Sequence, residues 1–338
     1  MNKLTKVGVS ALCGSLAAVA SANAGSLSVA GTADATWVGL DYGNVGNPIG
    51  LGSNMTFTGS GELDNGSTVT LNVVHTNTAN YSSSNLTWDI PGLGKLGVNQ
   101  LYNGIDRIDD KMPTAWEETW GTAVGTGIQT VSGVGGGMNI NWTSTADMGG
   151  LSIHAAYSPK AKEGGGTNDK ATSGAVGSNM GSGFDLVLEH SGLMDGLNIF
   201  AGYSSIDQIN TAASAASGDR TATAAGATYA IGGATLGYQV SRDNLNVLNG
   251  MSSYDNQAYG VSFAVNDDLT LSYGMHKSKQ SNANAVSNAE LEASSIQVSY
   301  SMGGATIKLA QTDVDHGAYD SSSATDRSGT TLVLSLAF

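Results

Sequence analysis

Alternation with a period of two constrains this chain more than any other feature. Across residues 138–143, Met138, Ile140 and Trp142 alternate with Asn139, Asn141 and Thr143. The same beat returns at Leu151, Ile153 and Tyr157; at Tyr259, Val261, Phe263 and Val265; at Leu269, Leu271, Tyr273 and Met275; and at Ile296, Val298, Tyr300 and Met302. Successive side chains of an extended strand point to opposite faces, so each set lies on one side of a sheet. The closing TTLVLSLAF keeps the rhythm to the last residue, with Leu332, Leu334, Leu336 and Phe338 in phase. Downstream of Ala24 no run approaches the 18 apolar residues that a membrane-spanning helix needs.

The connections sort these strands. Short turns fall at 63–67, 91–94, 146–150, 192–196, 232–233, 266–268 and 302–304. Between them lie longer polar loops near 43–52, 78–84, 101–135, 159–180, 206–219, 243–254, 279–290 and 314–327. Together they join sixteen strands, and the even number leaves both chain ends on the short-turn rim. The expected fold is all-β: a transmembrane antiparallel barrel with short periplasmic turns and long extracellular loops. A soluble sandwich also alternates, but three features oppose it. The strands take roughly ten residues each, enough to cross a bilayer when tilted. Their polar phase is Ser, Thr, Asn and Gly rather than Lys and Glu. Trp37, Trp88, Trp142, Tyr157, Tyr203, Tyr238, Tyr259, Tyr273 and Tyr300 sit on the apolar phase, as an interfacial girdle requires. Closure of the last strand on the first satisfies every backbone donor. The small apolar positions Gly31, Ala33 and Ala35 of the first strand fit either close subunit packing or a thin stretch of wall.

Lys3 and Lys6, the apolar run Val7–Ala20 and the small residues Ala22-Asn23-Ala24 read as a secretory signal cleaved after Ala24. Residues 25–338 then form a single barrel domain. The lone Cys13 leaves with the signal, so the exported chain is stabilised without disulfides. Loss of Lys3 and Lys6 from 14 basic residues leaves 12 against 28 acidic ones, a formal charge of −16. That balance excludes nucleic acid as a partner, because phosphate binding needs basic patches.

The loop at 101–135 is much the longest and carries GIDRIDDKMPTAWEETWG at 104–121. Long ordered loops in compact proteins are usually functional. Asp106, Asp109, Asp110, Glu117 and Glu118 are opposed locally only by Arg107 and Lys111. Placed inside the lumen, these carboxylates narrow the pore and favour cations. They also offer the oxygens that calcium takes, so a calcium site at Asp106, Asp109 and Asp110 stays open, although the spacing matches no EF-hand. Wall charges follow from strand phase. Lys95, Lys308, Arg327 and Arg220 are expected to supply cations across the pore, and Asp185 and Glu189 share the lumen phase.

No catalytic residue is expected. The five histidines are scattered, HExxH and GxSxG are absent, and VGGG at 134–137 lacks the GK[ST] of a phosphate loop. A solenoid passenger would show a fixed short repeat, which the varying loops lack. A barrel enzyme and a surface adhesin remain as the alternative functions.

With its signal peptide, sixteen-strand rhythm, terminal phenylalanine and acidic third loop, the chain resembles the general porins of Gram-negative outer membranes, the sixteen-stranded trimeric type. The resemblance implies a third loop folded into the lumen of a water-filled channel for small hydrophilic solutes. It implies a homotrimer seated among outer-membrane lipid and lipopolysaccharide. A preference for cations follows from the acidic loop and the charge of −16.

Overall fold

The computed structural model describes residues 25–41, 46–76, 82–100, 103–121, 124–161, 180–209, 216–283 and 290–338. The expected signal segment, 1–24, lies outside the described residues. The first eight strands are β1 (Ser26–Leu40), β2 (Ile49–Glu62), β3 (Thr68–Thr76), β4 (Ser83–Ile90), β5 (Gly94–Gln100), β6 (Met138–Thr143), β7 (Leu151–Ser158) and β8 (Met180–His190). The rest are β9 (Leu197–Gln208), β10 (Arg220–Ile231), β11 (Ala234–Asn244), β12 (Met251–Ala264), β13 (Leu269–Asn282), β14 (Glu290–Met302), β15 (Ala305–Asp315) and β16 (Arg327–Ala337). Each pairs antiparallel with the next, and β1 pairs with β16, so the sheet closes without an edge. This is the sixteen-stranded barrel that the alternation and the connections predict.

The seam explains one of the small positions. The Gly31 amide donates to the Phe338 carbonyl at 2.8 Å, and the Phe338 amide donates back at 3.0 Å. A Cβ on Gly31 would lie 2.7 Å from the Phe338 ring, so the ring rests on the bare backbone of β1. The last residue thus packs on the first strand.

Side chains divide by phase as the bilayer demands. On β16, Leu332, Leu334 and Leu336 are 42%, 42% and 46% exposed, whereas Thr331 and Val333 between them are buried. On β11, Leu236, Tyr238 and Val240 face outward while Gln239, Ser241 and Asp243 are buried inside. An apolar belt of this size would be costly in water and is favourable against lipid.

The buried apolar clusters lie within the barrel, and the third loop builds them. Ile105, Ile108 and Val131 of the loop pack with Val187, Phe200, Ala222 and Ala224 of β8–β10. Val124 packs with Tyr254, Leu291, Ala293, Val314 and Tyr319. Val134 joins Ala156, Ala161 and Ile206. Burying Ile105 and Ile108 completely stabilises the docked loop by on the order of 2 kcal/mol each.

Candidate functional site

The two roots of the third loop are held by one carboxylate. Asp185 points inward from β8 and is 1% exposed. Its Oδ2 accepts the Ile105 amide at 2.8 Å and the Val134 amide at 3.0 Å. Gly104 and Gly133 flank it with φ of 73° and 49°, and a Cβ on either would collide with the carboxylate. Glycine is needed at both positions for backbone conformation and for close approach. Asp185, expected as a lumen charge, therefore serves as an anchor.

Farther along, two glutamines on the inner wall hold the loop backbone. Gln239 of β11 accepts the Lys111 amide at 3.3 Å, and its Nε2 donates to the carbonyls of Ile108 at 2.9 Å and Asp109 at 2.8 Å. Gln297 of β14 accepts the amides of Trp116 at 3.3 Å and Glu117 at 3.2 Å and donates to the Glu117 carbonyl at 2.8 Å. Ser272 of β13 accepts the Ala115 amide, and Asn256 of β12 donates to the Gln129 carbonyl. Between these clamps the wall is bare. Gly237, Gly260 and Gly274 stand opposite one another on β11, β12 and β13. Side chains on Gly237 and Gly274 would run into Pro113 and Thr119. Strand phase does not distinguish these glutamines from other inward polar residues, because length and reach give no periodic signal.

The loop's charges are sorted by what they meet. Arg107 and Lys111 turn to the wall, where their nitrogens lie 3.3 and 3.4 Å from the Glu189 carboxylate of β8, with His154 Nε2 at 3.4 Å. Asp109, Asp110, Glu117 and Glu118 line a common cavity of about 100 Å³ with Trp116 and His276. Asp106 is outside it, in a 3-10 turn at Gly104–Ile108. Burial, with the neighbouring Asp110 charge, pushes the Asp109 carboxyl up to about 8, despite the Thr130 hydroxyl donated to it at 2.8 Å. Burial also raises Glu118 above the usual carboxylate range. The acidic cluster therefore carries less charge at neutral pH than its composition suggests. Among the described residues no group of three His, Cys, Asp or Glu side chains is arranged to hold a metal, so the calcium alternative gains no ligand set.

The wall cations do not form the opposing arc expected from phase. Lys308 stands over the ring of Trp116, 5.8 Å from its centroid, and Arg327 donates to the Gly125 carbonyl, so both meet the loop itself. Lys95 lies 3.7 Å from Asp89, its cross-strand partner. Arg220 pairs with the buried Asp243, its Nε donating at 3.0 Å.

Residues 8–318 match the family model described as Gram-negative porin. The chain belongs to that family. This porin is therefore an outer-membrane channel protein rather than an enzyme, by family. Its barrel is similar to the anion-selective porin from Comamonas acidovorans, at 13% identity and a TM-score of 0.68 over 93% of this chain and 100% of that one. It is similar to the trimer form of OmpT from Vibrio cholerae, at 14% identity and 0.67 over 93% and 99%. Salmonella typhi OmpF in complex with daunomycin gives 17% identity and 0.66 over 92% and 97%. At such identities the likeness is one of fold. No curated protein sequence matches the chain.

Proposed function

We propose that this porin, exported with loss of residues 1–24, is a homotrimeric diffusion pore for small hydrophilic solutes and ions that prefers cations. The loop at 101–135 is its constriction. One observation carries the preference: Glu189 draws both loop cations, Arg107 and Lys111, to the wall, while Asp110, Glu117 and Glu118 line one cavity on the loop. Charges in a narrow, low-dielectric passage raise the local concentration of counter-ions. The trimer form of a similar barrel supports assembly as a trimer. The exposed apolar belt supports contact with lipid, and the charged outer rim above it, including Arg242 and Lys277, suits lipopolysaccharide headgroups.

The anion-selective neighbour shows that this fold does not fix the sign of selectivity, so the sign must be measured. Reversal potentials across planar bilayers under a potassium chloride gradient should report cation preference. The combined Asp110→Asn and Glu117→Gln substitutions should reduce it. Anion preference in the native pore, or no change in the variant, would overturn the assignment.

A further inference from the structure

The wall that the loop leaves uncovered has its own chemistry. The loop's side-chain-mediated bonds run to β8 and β11–β16, and the inner faces of β1–β4 take no part in them. Strand registers place residues on that face side by side. Ser28, Thr58, Asn72, Asn85, Asn99 and Asn139 stand opposite one another on six consecutive strands, β1 to β6. A second row, two residues along, reads Ser26, Ser60, Thr70, Thr87, Gly97 and Asn141. At about 4.8 Å between strands, the stretch from β1 to β4 gives an arc of roughly 14 Å.

Apart from Gly97, every residue in these rows carries a hydroxyl or a carboxamide, and each such group both donates and accepts hydrogen bonds. Their internal bonds are partial. Thr58 donates to Asn72 Oδ1 at 2.8 Å, and Thr87 donates to Asn85 Oδ1 at 2.9 Å. These bonds use the carboxamide oxygens of half-buried Asn72 and Asn85 and the protons of both threonine hydroxyls, and leave the Nδ2 donors and the hydroxyl lone pairs as the groups a solute can meet. Beside the loop root the rows are covered, with Asn99, Asn139 and Asn141 buried at 1%, 2% and 9% exposure, so the open part of the face is that of β1–β4. The charges on the inward phase of these strands lie outside the two rows: Lys95 is paired with Asp89, and Asp34 and Glu62 are the other carboxylates.

We propose that this face is a weak binding track for neutral polyhydroxylated solutes, of the size of short saccharides and polyols. It rests on the diffusion-pore reading and adds a solute class to it. An ion uses only one half of each donor–acceptor pair. A solute whose hydroxyls also donate and accept can exchange its water for the wall at little cost, several groups at a time. Conduction requires such binding to be weak and repeated over several sites, which a row of uncharged groups supplies.

The test compares a trisaccharide with a poly(ethylene glycol) of equal mass, whose ether oxygens only accept, as blockers of the potassium chloride current through the reconstituted full-length porin. The trisaccharide should reduce the current at a concentration about tenfold lower, the equivalent of one to two net hydrogen bonds. The Asn72→Ala/Asn85→Ala variant should lose most of that advantage. Asn72→Asp, which keeps the shape and the acceptor for Thr58 but removes the Nδ2 donor, should lose part of it. Equal block of the native pore by both solutes, or a trisaccharide advantage unchanged in both variants, would overturn the track while leaving the pore intact. Absence of any ion current would overturn the pore reading and the track together.

Discussion

Gln297 offers the sharpest test of how the constriction is held. It is 2% exposed and forms three hydrogen bonds with the backbone at Trp116 and Glu117, between 2.8 and 3.3 Å. In Gln297→Leu the side-chain volume is nearly kept, but two amides and one carbonyl lose their partner in a buried place. At about 1 kcal/mol per bond, docking of this segment should weaken by roughly 3 kcal/mol, a little over a hundredfold in the docked-to-released ratio. The strand ladder is untouched, so the thermal stability of the barrel should scarcely change. Single-channel recording should show larger open-channel noise and frequent sublevels as the loop leaves the wall. Adding Gln239→Leu, which removes three more bonds, should deepen the effect. Gln311 is the control: it lies on the outward phase of β15 and bonds to Ser328 and Thr330, so Gln311→Leu should leave the noise unchanged. Quiet, native-like currents in the double variant would refute the claim that these glutamines fix the loop.

Three further outcomes follow from the same geometry. Asp109 holds its proton up to about pH 8 where a free carboxylate loses it near 3.8, so the docked loop is most stable at low pH and weakens as pH rises towards 8. Ionisation adds one negative charge, worth about 0.6 kcal/mol to a cation about 7 Å away in water, so cation preference should rise roughly threefold between pH 6 and 9; Asp109→Asn should flatten the reversal-potential curve. Glu189→Gln removes the carboxylate that binds Arg107 and Lys111, and cation preference should fall by a similar factor; an unchanged reversal potential would show that those cations are not held there. Gly274→Val places a branched side chain where Thr119 packs, and the loop should shift into the passage or away from the wall, changing conductance without loss of the heat-resistant barrel on a gel.

What was legible in the sequence, and what was not, depends on which solvent each side chain meets. Lipid admits few polar side chains away from the strand ends, so the outward phase alternates clearly on many strands, and the rhythm of short and long connections supplies the count of sixteen. The inward phase meets two surroundings. Where water fills the lumen it reads Asn, Thr and Ser, as on β3 and β4. Where the loop lies against it, the phase turns apolar or bare: Val187 between Leu186 and Leu188, Phe200 beside Ile199, Leu291 and Ala293 on β14, Gly237 and Gly260 facing each other. That breakdown of alternation is the trace the sequence carries of where the loop lies, a fainter signal than the loop's own acids. The wall cations failed for a different reason. Phase assigns a face but not a partner, and only register sets Lys95 opposite Asp89. Charge counting failed a third way, since crowding and burial leave Asp109 protonated at neutral pH. The polarity of the inward phase is thus a map of the lumen. Read strand by strand, it assigns β8–β15 to the loop and leaves the amide- and hydroxyl-lined strands β1–β4 as the face open to a passing solute.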